Sequence, residues 1–401
     1  MMLKYELKKV LSKRINRVLM VSALLLSVVF SVFAIGSYYY VDADGITHKG
    51  ISAPRAVIAD ENRWRGELTP ERIGEIVTRY RDIKERYKGQ IPDEIFGEEI
   101  QSYYDLIPLT SLMLVGEYGD NVDTEAVLSA KESSIESIYD IYKENLQAMS
   151  VYNGETPEKS SFIMEQYEKI ETPFYYESTS PWKTMYLYVN TFSIVLALII
   201  GFLTAGIFAE EFQYRSAAVF FSAQYGRNKA VLNKIFAGLI IATLVFGCGM
   251  GLMSAICFSV TGISGATVPY LLCGPMYAIY PVSCVQMYGI MVLCGYVASL
   301  IAASVSMLVA SKTRSMSIAV CIPFLMLCVS PFLGRALPFK TFFSLTPDAL
   351  VNVLNSAKDP LVYQVGGFVF RQIPFIILFY IAIAIGLLPL VYRNYHRLTL
   401  K

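Results

Sequence analysis

The sequence predicts an all-α integral membrane protein of six transmembrane helices. An interfacial helix precedes them, and a mostly helical extracellular domain is inserted between helices 1 and 2. Three observations predict this. The 401 residues are 54% hydrophobic and 17% charged, against about 25% charged in an ordinary soluble domain. The charges are segregated: residues 41–184 carry 15 Lys+Arg against 28 Asp+Glu, and the rest of the chain carries 19 against 5. The net charge of +1 therefore conceals an acidic insert and a basic remainder. Finally, runs without Asp, Glu, Lys or Arg cover 18–41, 184–209, 235–311, 315–334 and 372–392. A helix needs about 20 apolar residues to cross the hydrocarbon core, and the longest run holds two. The expected spans are 18–40, 185–209, 235–261, 284–310, 316–334 and 372–392.

Residues 1–17 come first. Leu3, Leu7, Leu11 and Ile15 recur at helical spacing with lysines between them, which suits a helix lying in the interface. The basic start, the apolar run and Val32-Phe33-Ala34 resemble a cleavable leader. The run is longer than a leader core, and the start has structure of its own, so an uncleaved anchor is expected. Orientation follows from basic residues flanking the spans. Lys4, Lys8, Lys9, Lys13, Arg14 and Arg17 precede span 1, and Arg215, Arg227, Lys229 and Lys234 follow span 2. Lys312 and Arg314 follow span 4, and Arg393, Arg397 and Lys401 follow span 6. All sit an even number of spans apart, opposed only by Glu6, Glu210 and Glu211. The expectation is a multi-pass cell-membrane protein with both termini (the tail being 393–401) in the cytoplasm.

The acidic domain 41–184 then lies outside. Thr69 suits an N-cap, Pro70 the first turn and Glu71 the helix dipole. Ile73, Ile76, Tyr80, Ile83 and Tyr87 continue that helix, and Gly89 stops it. Leu128, Ile135, Tyr142 and Met149 form a seven-residue repeat, with Ile138 between. A third stripe holds Phe162, Ile163, Tyr167 and Ile170. Such stripes pack on one another within a domain; a surface for an extracellular ligand or accessory protein is the sharper alternative. Asp42-Ala43-Asp44-Gly45 resembles only the start of a calcium loop and reads as a turn.

In the 235–392 region, Gly247, Gly251 and Ala255 recur every four residues, a pattern that lets helices approach closely, expected here within one chain. Pro323 and Pro331 are expected to bend helix 5. The connections 262–283 and 335–371 are external yet apolar. Tyr270, Tyr277 and Tyr280 suit an interface, and Ala336–Leu345 with Phe368 suit a loop held against the outer surface. All seven cysteines lie within or between helices 3 to 5, so packing is expected rather than a disulfide framework.

No Gly-Lys dipeptide, HExxH or GxSxG occurs, and His48 and His396 stand alone, so neither a self-contained ATPase nor a hydrolase is expected. Intramembrane charge is nearly absent, which disfavours ion-coupled transport. No metal, cofactor or nucleic acid is implied. The most informative stretch is the cytoplasmic segment 210–234, EEFQYRSAAVFFSAQYGRNKAVLNK. Two acids close span 2, an apolar stretch 217–223 follows Arg215, Gly226-Arg227 breaks the run, and Lys234 meets span 3. A short helix here presents an apolar face to a groove on a partner.

In this order of features the chain resembles the permease subunits of the type-2 family of ABC exporters. There the second helix ends in Glu, and a short coupling helix follows, then a small residue, Arg and a downstream Lys. Glu210 or Glu211, Arg227 and Lys234 match that order and spacing. The resemblance covers the interfacial helix, the six spans and the long loop before the last span. The acidic insert is found in only some members. The resemblance implies a dimer with a second permease copy or paralogue, set in the lipid bilayer. Each permease contacts a cytoplasmic ABC ATPase subunit that holds the ATP and Mg. It also implies a lever at 212–223 that carries Phe212, Phe220 and Phe221, turns at Gly226 and is angled by Glu210, Glu211 and Arg215 pairing locally. Arg227 is then expected to meet a carboxylate or a helix C-terminus. A membrane-anchored receptor or scaffold, binding a ligand through its helical domain, is the alternative.

Overall fold

The computed structural model describes residues 2–88, 90–116, 124–222, 226–329, 332 and 343–397. Helix α1 (Met2–Ser12) is followed by α2 (Arg14–Gly36) and a hairpin, β1 (Tyr39–Val41) with β2 (Thr47–Lys49). The inserted segment continues through α3 (Ser52–Glu61), β3 (Gly66–Glu67), α4 (Pro70–Arg86) and the single turn α5 (Asp93–Ile95). Next come α6 (Leu106–Val115), α7 (Thr124–Leu128), α8 (Glu132–Glu136), α9 (Ile138–Gly154), α10 (Pro157–Tyr167) and β4 (Tyr175–Tyr176). The long helices are α11 (Ser180–Gln213), then short α12 (Ala217–Ser222), α13 (Lys229–Thr261) and α14 (Cys284–Thr313). After α15 (Met316–Phe324) come α16 (Val353–Lys358), the hairpin β5 (Val362–Val365) with β6 (Phe368–Arg371), and α17 (Gln372–His396).

Five of the described helices are long and apolar enough to cross a membrane: α2, α11, α13, α14 and α17. The expected fifth of six spans, 316–334, is a shorter apolar helix among the described residues. It includes Pro323 and continues in π-helical turns over Leu325–Val329. Proline removes a backbone donor and crowds the preceding turn, which is where helices widen or kink. Pro331 lies outside the described residues, as do Gly89 and most of Ala336–Leu345.

Helix α11 is the centre of the bundle. Its 34 residues measure about 51 Å, well beyond a hydrocarbon core of about 30 Å. Both ends therefore project, carrying Trp182 and Lys183 at one end and Glu210 and Glu211 at the other. Its main partner is α14, and small residues bring the two together. A Cβ added at Gly295 would lie 2.8 Å from Ser193 Cβ, and one at Gly201 would lie 3.2 Å from Ser306 Oγ. Ala197, Ala205, Ala298, Ala302 and Ala303 are fully buried. With no hydrophobic drive between helices in lipid, such close packing is what holds them.

The N-terminal boundary differs from the expected one. The helix breaks at Lys13, so α2 begins at Arg14 rather than near residue 18. Asn16 Nδ2 donates to Val10 O at 3.0 Å and holds the bend. The face of α1 turned inward carries Glu6, Leu7 and Val10, and Lys13 at the break is half-buried; Leu11 and Ile15, expected on the apolar stripe, are exposed.

In the inserted segment Thr69 caps α4, its hydroxyl accepting from Arg72 N at 3.4 Å, and Ile73, Ile76, Tyr80 and Ile83 are buried. The repeat from Leu128 to Met149 is not one helix: the chain breaks between α7, α8 and α9, while Ile135, Ile138 and Tyr142 still reach the core. Helix α10 ends at Tyr167, before Ile170. Strand β3 pairs with β4, and Leu68 N donates to Phe174 O at 2.7 Å, tying the start of the segment to its end. The 42–45 stretch is a turn: Asp42 Oδ1 accepts from Asp44 N and Ile46 N at 3.0 and 2.9 Å, and Oδ2 meets His48 Nε2 at 2.6 Å. Its carboxylate is thus spent on the hairpin.

Candidate functional site

The residues singled out around 210–234 converge, together with parts of α1 and α17 that sequence reasoning left out. Glu211 and Lys234 form the centre. Lys234 is fully buried; its Nζ lies 2.7 Å from Glu211 Oε1, 3.7 Å from Glu6 Oε2, and donates to Ile207 O at 2.8 Å. A buried ammonium persists only where acceptors surround it. Lys9 of α1 reaches the same Glu211 oxygen at 2.8 Å and Glu210 Oε2 at 3.6 Å, and Lys13 pairs with Glu210. Burial, with the neighbouring Lys9 and Lys234 charges, pulls the Lys13 ammonium down to about 8. Tyr395 of α17 completes the knot: its hydroxyl donates to Glu211 Oε2 at 2.9 Å. One carboxylate therefore joins α1, α11, α13 and α17.

Short α12 sits over this knot on aromatic rings. Tyr395 packs against Phe208, Phe212, Phe220 and Phe221, with ring centroids 5.0–6.1 Å apart. Lys234 Nζ stands 5.2 Å over the Phe220 ring, and the Arg314 guanidinium 5.3 Å over Phe212. Ala217 and Phe221 are the inward face of α12, whereas Val219 is 75% exposed on the other. The turn that follows is fixed at Gly226, which is buried, and at Arg227. Arg227 Nε donates to Phe221 O at 3.4 Å, at the C-terminal end of α12, and its guanidinium lies 5.6 Å over the Phe221 ring. His396 Nδ1 meets Arg227 O at 2.9 Å, so the end of α17 grips this turn too.

Two expectations need correction. Arg215 does not pair with Glu210 or Glu211: it occupies a left-handed backbone position (φ 57°), and its side chain is exposed with no ion pair among the described residues. The acids instead turn inward to Lys9, Lys13 and Lys234, because they close a helix whose other faces are apolar. Gly247, Gly251 and Ala255 do not supply that packing: they lie on the exposed face of α13, and among the described residues a Cβ at Gly247 or Gly251 meets nothing within 4 Å. Close packing of α13 falls to Gly238, against Met307 of α14, and to Gly249, against Leu196 of α11.

The partners missed in sequence were Glu6, Lys9, Lys13 and Tyr395. A signal existed: Glu6, Lys9 and Lys13 fall at spacings of three and four, on one helical face. Tyr395 had none, since a tyrosine near a basic tail looks like an interfacial residue. Comparison with known proteins found no family model, no curated protein and no solved structure that matches this chain.

Proposed function

We propose that this chain is the membrane-spanning permease subunit of an ABC exporter, moved by a separate ATPase subunit. The observation that carries the reading is α12: a short helix between the two long helices α11 and α13, anchored at both ends and exposing Val219 outward. A displacement of such a lever reaches α11 through Phe212, which packs on Phe221, and α13 and α17 through Lys234 and Tyr395, which pack on Phe220 and share the buried Glu211 carboxylate. The rigid coupling of discrete elements is what transmits motion between sites.

In this reading six spans cross the membrane, with 316–334 as the fifth, both termini and α12 in the cytoplasm, and 41–184 outside. The basic residues at the α12 end and the acidic insert support that orientation. The ATPase supplies nucleotide and Mg, and a second permease copy completes the pathway.

The test is purification of the full chain from its native membranes, probed for a co-eluting ABC ATPase subunit. Arg227→Glu and deletion of 217–221 are expected to abolish ATPase association while the permease still enters the membrane. Intact association and transport in both variants overturn the assignment. Purification without any ATPase, joined to ligand binding by 41–184, favours the receptor reading instead.

A further inference from the structure

At the opposite end of the bundle, Cys273 and Cys284 meet: their sulfurs are 3.3 Å apart. Cys273 ends the turn Tyr270–Cys273, and Cys284 opens α14. Cys284 is fully buried, whereas Cys273 is partly exposed and lines a cavity of about 650 Å³ beside Asp105 and Lys183. We propose that Cys273 and Cys284 are a redox-active dithiol, oxidised to a disulfide by exchange with a small or protein-borne disulfide that enters through this cavity. The pairing rests on the geometry alone; only its assignment to the outer face rests on the permease topology.

The arrangement assigns the two sulfurs different roles. Only Cys273 faces the cavity, so it meets the incoming disulfide first. Burial opposes its ionisation, but hydrogen bonding to Cys284 and the Lys183 ammonium outweigh that and hold its thiol below the ordinary value. Thiolate is the attacking form. The Cys273 thiolate attacks the incoming disulfide, forming a mixed disulfide and releasing one thiolate, which takes the Cys273 proton. Cys284, already within reach, then attacks the Cys273 sulfur and releases the second thiolate, which takes the Cys284 proton. The two cysteines lose two electrons and two protons, and the incoming disulfide leaves as two thiols. A disulfide closes at about 2.05 Å between sulfurs, so a shift of little more than 1 Å completes the bond.

The bond has something to act on. Residues 274–283 are the strap on which the inserted segment rests. Tyr142 and Tyr167 donate to Met276 O and Tyr277 O at 2.5 and 2.8 Å, Tyr277 donates to Leu112 O at 2.7 Å, and Tyr280 accepts from Ile373 N of α17 at 3.2 Å. Oxidation closes the base of this strap covalently onto α14.

The test uses the full chain in membranes, reduced with dithiothreitol, washed, and exposed to oxidised glutathione. Remaining thiols are blocked with N-ethylmaleimide, and those released by a second reduction are counted with a polyethylene-glycol maleimide. Two new thiols per chain are expected, none in C273S, and in C284S only the one freed from a Cys273–glutathione mixed disulfide. Peptide mapping of the oxidised wild type is expected to find residues 273 and 284 joined, which decides the matter even if a variant fails to fold. No new thiols, or pairing of either cysteine elsewhere, overturns the proposal. Run on intact cells, the same membrane-impermeant oxidant tests sidedness. Reaction only after permeabilisation keeps the dithiol and overturns the outward orientation of the cavity.

Discussion

The two ends of the bundle are fastened by different chemistry. At the α12 end, buried charges share partners: Glu210 and Glu211 take Lys9, Lys13 and Lys234 within one cluster. At the other end the inserted segment is bolted down mainly by neutral donors on backbone carbonyls. Tyr38 donates to Ser180 O at 2.8 Å, Trp182 to Ser264 O at 2.7 Å, and Tyr142, Tyr167 and Tyr277 join the strap. Even Arg55 works there as a cap, donating to Val260 O and Ser259 O at 3.1 and 3.2 Å at the end of α13. Neutral bonds are individually modest and roughly independent, whereas losing a fully buried member of a charge cluster strands the charge it paired with. The difference suits an anchored base at one end and a tightly correlated junction at the other.

Breaking the charge cluster should have the largest effect. Lys234→Ala leaves Glu211 buried without its principal partner and is expected to lower unfolding stability by about 3–5 kcal/mol, read by thermal or denaturant unfolding in detergent. Lys9→Ala, whose side chain is 42% exposed, should cost under about 1 kcal/mol because solvent screens the pair. Equal losses in the two variants would break the comparison.

The other end also holds a buried titratable carboxyl. Glu61 of α3 is buried and accepts from Ser178 and, at 2.8 Å, from Ser180 at the start of α11. Burial, then the nearby Asp105 carboxylate, pushes it up to about 7 from 4.5, against the opposing Ser178, Lys183 and Ser180. The folded protein therefore holds this proton more tightly than the unfolded chain does. Its stabilisation is complete below pH 4.5, declines as pH rises toward 7 and is gone above, about 3 kcal/mol in all. Glu61→Gln should flatten that part of a stability–pH curve; an unchanged slope assigns the pH dependence elsewhere.

Smaller effects sharpen the picture. Tyr142→Phe and Tyr167→Phe should each cost about 1 kcal/mol and add nearly independently, as a double variant would show. Strong coupling between them would make the strap as cooperative as the charge cluster. Gly247→Ala should be neutral or stabilising by up to about 1 kcal/mol, since nothing lies within 4 Å of the new Cβ. Gly295→Ala, aimed at Ser193, should destabilise by about 1–3 kcal/mol.

Much of this was legible beforehand for a physical reason. Charge-free runs mark the long apolar helices because burying a charge in hydrocarbon is expensive, and Thr69-Pro70-Glu71 marks a helix start because local hydrogen bonds decide it. Helix ends were less legible: α11 runs to Gln213 and α13 starts at Lys229, because helices continue past the apolar run when neighbours cover their polar ends. The Leu128–Met149 repeat looked continuous because periodicity registers burial, and two short helices followed by a longer one can bury the same residues as one. Gly247 and Gly251 do not pack on the described helices of the same chain because a small-residue spacing says that close approach is allowed, not which face is turned inward.

By itself, the sequence determined the mostly helical class, the apolar helices, the acidic insert and the short interrupted stretch between α11 and α13. These depend on transfer free energies and local hydrogen bonds, which each residue carries with it. The tertiary structure alone decided that Glu211 meets Lys9, Lys234 and Tyr395, residues as far as 202 positions apart. It also decided that Cys273 meets Cys284, and that the glycine stripe faces outward. Which charge meets which depends on how helices rotate about their axes as they pack, and a one-dimensional pattern records the period of a helix but not that rotation.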